Sequence, residues 1–142
     1  MSVSGEPPAP AARPSPLAAE APPEPWRWRL AVLLGYLALG VGLTWPMALH
    51  MGEGAIQVGS IPIDAGQNIW NLWWARTALL AGANPFITPY LFYPGSVNLF
   101  YQPLGLPNAL SVWPVLVLAG PVAAFNTVVL LSFALGGYWA YR

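Results

Sequence analysis

After Arg76 the chain carries no Asp, Glu, Lys or Arg until Arg142. So long a stretch without a formal charge cannot cover a water-facing surface, because soluble domains carry about 25% charged residues. The whole chain departs from soluble composition in the same direction. Of its 142 residues only 7% are charged, while 56% are hydrophobic and 13% aromatic. Hydrocarbon is the solvent this composition fits. A formal net charge of zero gives no basic footprint for nucleic acid. The absence of cysteine excludes disulfides, Cys–zinc sites and thiol chemistry.

Residues 1–25 are rich in Pro and Ala, from Pro7 and Pro8 to Pro25. Proline at that density blocks helix and sheet ladders, and little apolar surface is available to offset ordering, which predicts a disordered tail. Arg27 and Arg29 end it. From Leu30 to Leu49 the run LAVLLGYLALGVGLTWPMAL is uncharged and apolar all round, the length a membrane-spanning helix needs. Trp26, Trp28 and Trp45 flank it, as in an aromatic belt. The preceding region is too long for a cleaved signal peptide and no convincing small-x-small site follows, so the run is expected to stay as an anchor. The arginine pair puts the N-terminus in the cytoplasm.

The segment from about His50 to Leu106 then forms a non-cytoplasmic loop. Within it IPIDAGQNIWNLWWARTALLAG has helical periodicity over about 65–82. At 100° per residue Gln67, Asn68, Asn71, Ala75 and Ala78 share one face, Asp64 projects to the same side, and Trp70 and Trp73 fall roughly opposite. Such a helix is expected along the membrane interface, tryptophans down and amides up, with Arg76 at the edge where it can snorkel or meet a lipid phosphate. Asn84-Pro85, Thr88-Pro89 and Tyr93-Pro94-Gly95 are turn signals. The aromatics between them suit an interface or packing against more protein.

Asn108–Ala119 is apolar but short, with Pro114 inside, and reads as an interfacial or re-entrant helix. Gly120-Pro121 breaks the chain, and residues 122–141 supply a second uncharged span ending in Tyr138, Trp139, Tyr141 and Arg142. A kinked hairpin with Asn108–Ala119 inserted partway is the alternative. The expected fold is an all-α membrane protein: two transmembrane helices, about 30–49 and 122–141, around a loop bearing interfacial amphipathic helices.

Few residues can carry chemistry. Asp64 fits a helix N-cap, with Gln67 three positions on as in a capping box. It also fits a carboxylate poised over a polar cavity as a general base or metal ligand. One oxygen can cap while the other stays free, so the two roles are compatible. His50 reads as an interfacial polar residue and Glu53 as solvated. Asn126, inside the second span, needs a hydrogen-bond partner, either a backbone carbonyl or another helix. Gly35, Gly40, Gly42, Gly136 and Gly137 permit close helix approach, which implies neighbours. Neither span holds an ionisable acid or base, which argues against an ion path. Walker, dinucleotide and Ser-His-Asp patterns are absent, as is any metal-spaced His cluster.

The order of these parts resembles a known family. An uncharged helix ends in TWPMALH; then come Asp64, the helix QNIWNLWWARTALLAG, an NPF step, a YPG turn, a Pro-bounded apolar helix and a second span. Over about residues 26–142 this is similar to the N-terminal unit of bacterial polytopic glycosyltransferases of the C-type fold, and to related multi-spanning proteins grouped with them. The resemblance implies transfer of sugar from a lipid-phosphate donor in the plasma membrane. It implies Asp64 as catalytic base or as a holder of a divalent metal; the helix face shared with Gln67, Asn68 and Asn71, and Arg76 beside it, would then line the substrate side. It also implies a divalent metal as cofactor, and further transmembrane helices as partners beyond this fragment. Many members place a second acid directly after the first, where this chain has Ala65. A small non-enzymatic membrane protein, binding lipid or a subunit through its aromatic loop, is the rival expectation.

Overall fold

The computed structural model describes residues 25–55 and 63–142. The predicted disordered tail, 1–24 of it, lies outside the described residues, as does the connection at 56–62. The architecture is mostly helical. Helix α1 spans Trp26–Leu43, α2 Ile63–Leu80, α3 Leu106–Ser111, α4 Trp113–Leu118 and α5 Gly120–Tyr141. Between α2 and α3, β1 (Ile87–Thr88) pairs antiparallel with β2 (Val97–Asn98), matching Ile87 to Asn98 and Thr88 to Val97.

Among the described residues one helix, α5, is long and apolar enough to cross a membrane. This corrects the expectation of two spans of that kind. The predicted first span ran to Leu49, but α1 stops at Leu43 and gives way to turns and a 3₁₀ segment, Met47–Leu49. Pro46 is the local cause: it disfavours helical conformation in the residue before it and offers no N–H to continue the ladder. At its other end α1 takes in Arg27 and Arg29. The uncharged part, Leu30–Leu43, is therefore only about 21 Å long at 1.5 Å per residue, against a hydrocarbon core of about 30 Å.

Helices α1 and α5 pack antiparallel. Gly40, the buried residue of α1, meets the Phe133 side chain; Gly137 lies against the Tyr36 ring; and the Trp28 indole N–H donates to the Tyr141 hydroxyl at 2.7 Å. Two of the five glycines expected to allow close approach do so within this pair. A Cβ at Gly35, Gly42 or Gly136 would enter open space. Packing in this order gathers Arg27, Arg29 and Arg142, with Trp26, Trp28, Tyr138 and Trp139, at one end of the pair. Outward from the pair lies apolar surface: only 22% of the spanning segment of α5 is buried within the molecule.

The predicted helix Asn108–Ala119 is instead two, α3 and α4, interrupted at Val112. Pro107 and Pro114 each stand in the first turn of one of them, where the missing N–H costs nothing. At six residues each, about 9 Å, neither can cross a bilayer. Both pack on α2, and α4 also packs on α5; Leu72, Ala75, Ala109, Val112, Leu116 and Ala124 form one buried cluster. A second cluster under the β-hairpin joins Trp74 and Ala78 of α2 to Leu99 and Leu104.

Candidate functional site

Helix α2 positions every site residue expected from sequence. It starts earlier than the predicted 65 and ends at Leu80. The sequence alone turns its small, amide-bearing face up toward water. Toward the C-terminal half the structure turns that face inward: Asn71, Ala75 and Ala78 are all buried, Ala75 completely. The reason is size, since alanines let α4, α5 and the hairpin strap approach closely. The tryptophans opposite are not simply exposed to lipid. Trp70, Trp73 and Trp74 pack on one another, Tyr90 meets two of them edge-on, and the Trp74 indole donates to the Pro85 carbonyl at 2.8 Å.

The N-terminal turn of α2 stays open. Asp64 is exposed, and its carboxylate has no hydrogen bond or ion pair among the described residues. Its main-chain carbonyl accepts from the Asn68 amide at 2.8 Å. Asp64 and Asn68, four apart, share a face. Gln67 and Asn68 are exposed beside them.

Two clefts flank this turn. One, of about 210 Å³ between α2, α3 and α5, is lined by Asn68, Leu72, Leu104, Asn108, Phe125 and Val128. The other, of about 200 Å³, lies under the hairpin strap, lined by Gln67, Trp70, Asn71, Leu91 and Gln102. The predicted residues are thus divided: Asn68 lines the first cleft, and Gln67 and Asn71 line the second. Asp64 and Arg76 line neither. Asn71 is largely spent on structure, donating to the Pro103 carbonyl at 2.9 Å while Gln102 approaches its carbonyl oxygen at 3.5 Å. Arg76 is half-buried, and its Nε has no partner among the described residues. Sequence reasoning missed Asn108 and Gln102. Gln102 lies in a stretch whose prolines pointed only to turns and Asn108 at the start of a segment read as a short apolar helix, and neither pattern showed a return to α2.

A divalent metal does not fit the donors present. Among the described residues no three His, Asp or Glu side chains converge, and Ala65 follows the lone Asp64. Glu53, the other described acid, is paired with His50 at 2.9 Å. Asn126 is fully buried and donates to the carbonyls of Met51 at 2.8 Å and Gly54 at 2.6 Å, so a backbone partner is what the structure provides. Comparison with known proteins finds no match for the chain among family models, curated proteins or solved structures.

Proposed function

We propose that residues 25–142 are the N-terminal membrane unit of a glycosyltransferase-like protein of the bacterial plasma membrane that uses a lipid-phosphate sugar donor. The α1/α5 pair crosses the bilayer with its arginine- and aromatic-rich end in the cytoplasm. Helix α5 spans fully, and α1 completes its crossing through the 3₁₀ segment and the turns tied to Asn126. The outward apolar faces of both helices call for lipid or further transmembrane helices.

The single observation that carries the reading is Asp64. It is an exposed carboxylate with no partner among the described residues, at the start of a helix whose next turn opens on clefts edged by neutral amides. Such a group suits a general base. It takes the proton of an acceptor hydroxyl while that oxygen bonds to the anomeric carbon. The bond from that carbon to the lipid phosphate breaks, and the phosphate leaves with the electron pair. Gln67 and Asn68 are placed to hold sugar or acceptor hydroxyls. Arg76, half-buried three turns further along, is the one cation on α2 that a lipid phosphate could meet.

The test is transfer of labelled sugar from a polyprenyl-phosphate donor in membranes containing the chain in its natural reading frame. Asp64→Asn is expected to lower the rate at least about a hundredfold, the scale of general-base catalysis. An unchanged rate would sink the catalytic reading. The rival, a non-enzymatic protein binding lipid or a subunit, then gains ground from the exposed Phe92, Tyr93, Phe100 and Tyr101.

A further inference from the structure

The cleft between α2, α3 and α5 divides into an apolar wall and a polar edge. Leu72, Leu104, Phe125 and Val128 make the wall, and the carboxamides of Asn68 and Asn108 make the edge. No charged side chain lines it. Its 210 Å³ would hold roughly seven waters at about 30 Å³ each. Both amides have hydrogen-bonding capacity to spare. Asn68 spends one N–H on the Asp64 carbonyl, and the Asn108 carboxamide makes no hydrogen bond among the described residues. A carboxamide pair offers donors and acceptors together, which a neutral hydroxyl satisfies in both directions. A phosphate or carboxylate would leave water for a cleft without a cation.

The position of the wall selects the group attached to that hydroxyl. Phe125 and Val128 stand about 8 and 12 Å along α5 from its start at Gly120, inside its uncharged length. A chain leaving the cleft past them enters the depth at which α5 would meet hydrocarbon.

We infer that this cleft binds a neutral long-chain alcohol, its hydroxyl at Asn68 and Asn108 and its alkyl chain along Leu72, Phe125 and Val128. Resting on the Asp64 reading above, this amphiphile is the acceptor. Asp64 lies one turn, about 6 Å, before Asn68 on the same face.

The test uses the full chain in phosphatidylcholine bilayers with a hexadecanol carrying a mid-chain diazirine. After irradiation, saturable labelling is expected on the peptides holding Leu104 and Phe125–Val128. Unlabelled hexadecanol should compete, while hexadecane and palmitate should not. Asn68→Leu combined with Asn108→Leu, close in volume, should weaken competition about tenfold by removing two neutral hydrogen bonds. Val128→Trp, which fills the crevice, should abolish labelling there. Equal labelling by a diazirine alkane, or labelling unmoved by the paired leucines, overturns the site. Asp64→Asn separates the two ideas, since it should keep the labelling while losing transfer. Saturable labelling alongside full transfer by that variant would refute the acceptor role and the catalytic reading while leaving the alcohol site standing.

Discussion

The Asn126 carboxamide donates to the Met51 carbonyl at 2.8 Å, across 75 positions of sequence, and to the Gly54 carbonyl at 2.6 Å. One side chain of α5 thereby closes the connection that continues α1. Replacing it by leucine keeps the volume but strands both carbonyls. Asn126→Leu is expected to destabilise by about 1–3 kcal/mol, the cost of leaving buried polar groups unpaired. Unfolding in detergent checks the magnitude. Faster proteolysis between Met47 and Ala55 than in the parent would locate the damage.

The contact between α1 and α5 depends on one of two adjacent glycines. A Cβ on Gly137 would overlap the Tyr36 ring, whereas one on Gly136 would meet nothing. Gly137→Ala is expected to destabilise by about 1–3 kcal/mol through overpacking. Gly136→Ala should be neutral or stabilising by up to about 1 kcal/mol, from helix propensity alone. A double-mutant cycle with Tyr36→Ala should recover most of the Gly137→Ala loss. Additive penalties in that cycle would mean the two residues do not touch.

These two sites show how far the sequence was legible. Asn126 was readable because an amide in an apolar run must find a partner, though not which one. The break at Gly120-Pro121 and the turn at Asn84-Pro85 were readable because each rests on local backbone chemistry. The Asn84 side chain accepts from the Phe86 N–H, as Asn98 does from Phe100. The end of α1 was missed because an uncharged composition continues through Trp45 and Pro46 while the helix does not. The orientation of α2 was missed for a different reason. Periodicity defines its faces, but which one meets α5 is decided by residues roughly 30 to 50 positions away, beyond the reach of any local pattern.

Asp64 and Asn71 should part company under mutation although they share a helix. Asn71 ties α2 to the Pro103 carbonyl from a site 2% exposed. Asn71→Leu should therefore cost about 1–3 kcal/mol through the orphaned carbonyl and loosen the strap. Asp64→Asn touches only an exposed N-terminal turn and should change stability by less than about 1 kcal/mol, the scale of a helix-dipole interaction. Thermal unfolding of the two variants side by side makes the comparison. Equal losses would mean that the Asp64 carboxylate, which among the described residues makes no capping hydrogen bond inside the first turn of α2, serves stability rather than chemistry.

The end-to-end segregation of charge in the α1/α5 pair yields a topology that can be read directly, because the chain has no native cysteine. Arg27, Arg29 and Arg142 lie together at the end where the Trp28 indole meets the Tyr141 hydroxyl. Arginine-rich short flanks are retained in the cytoplasm. Ser96, exposed in the hairpin turn, is expected on the opposite side. Cysteine at position 96 is expected to react with a membrane-impermeant thiol reagent in intact cells, and cysteine at position 4 only after permeabilisation. On the proposed two crossings by α1 and α5, a cysteine tag following Arg142 should behave like position 4. Reaction at the tag but not at position 4 would mean that α1, with its shorter uncharged length, fails to cross. Asp64 would then face the cytoplasm, away from the compartment that the glycosyltransferase reading requires. Reaction at position 4 and at the tag, but not at position 96, would invert the whole unit and remove the reading with it.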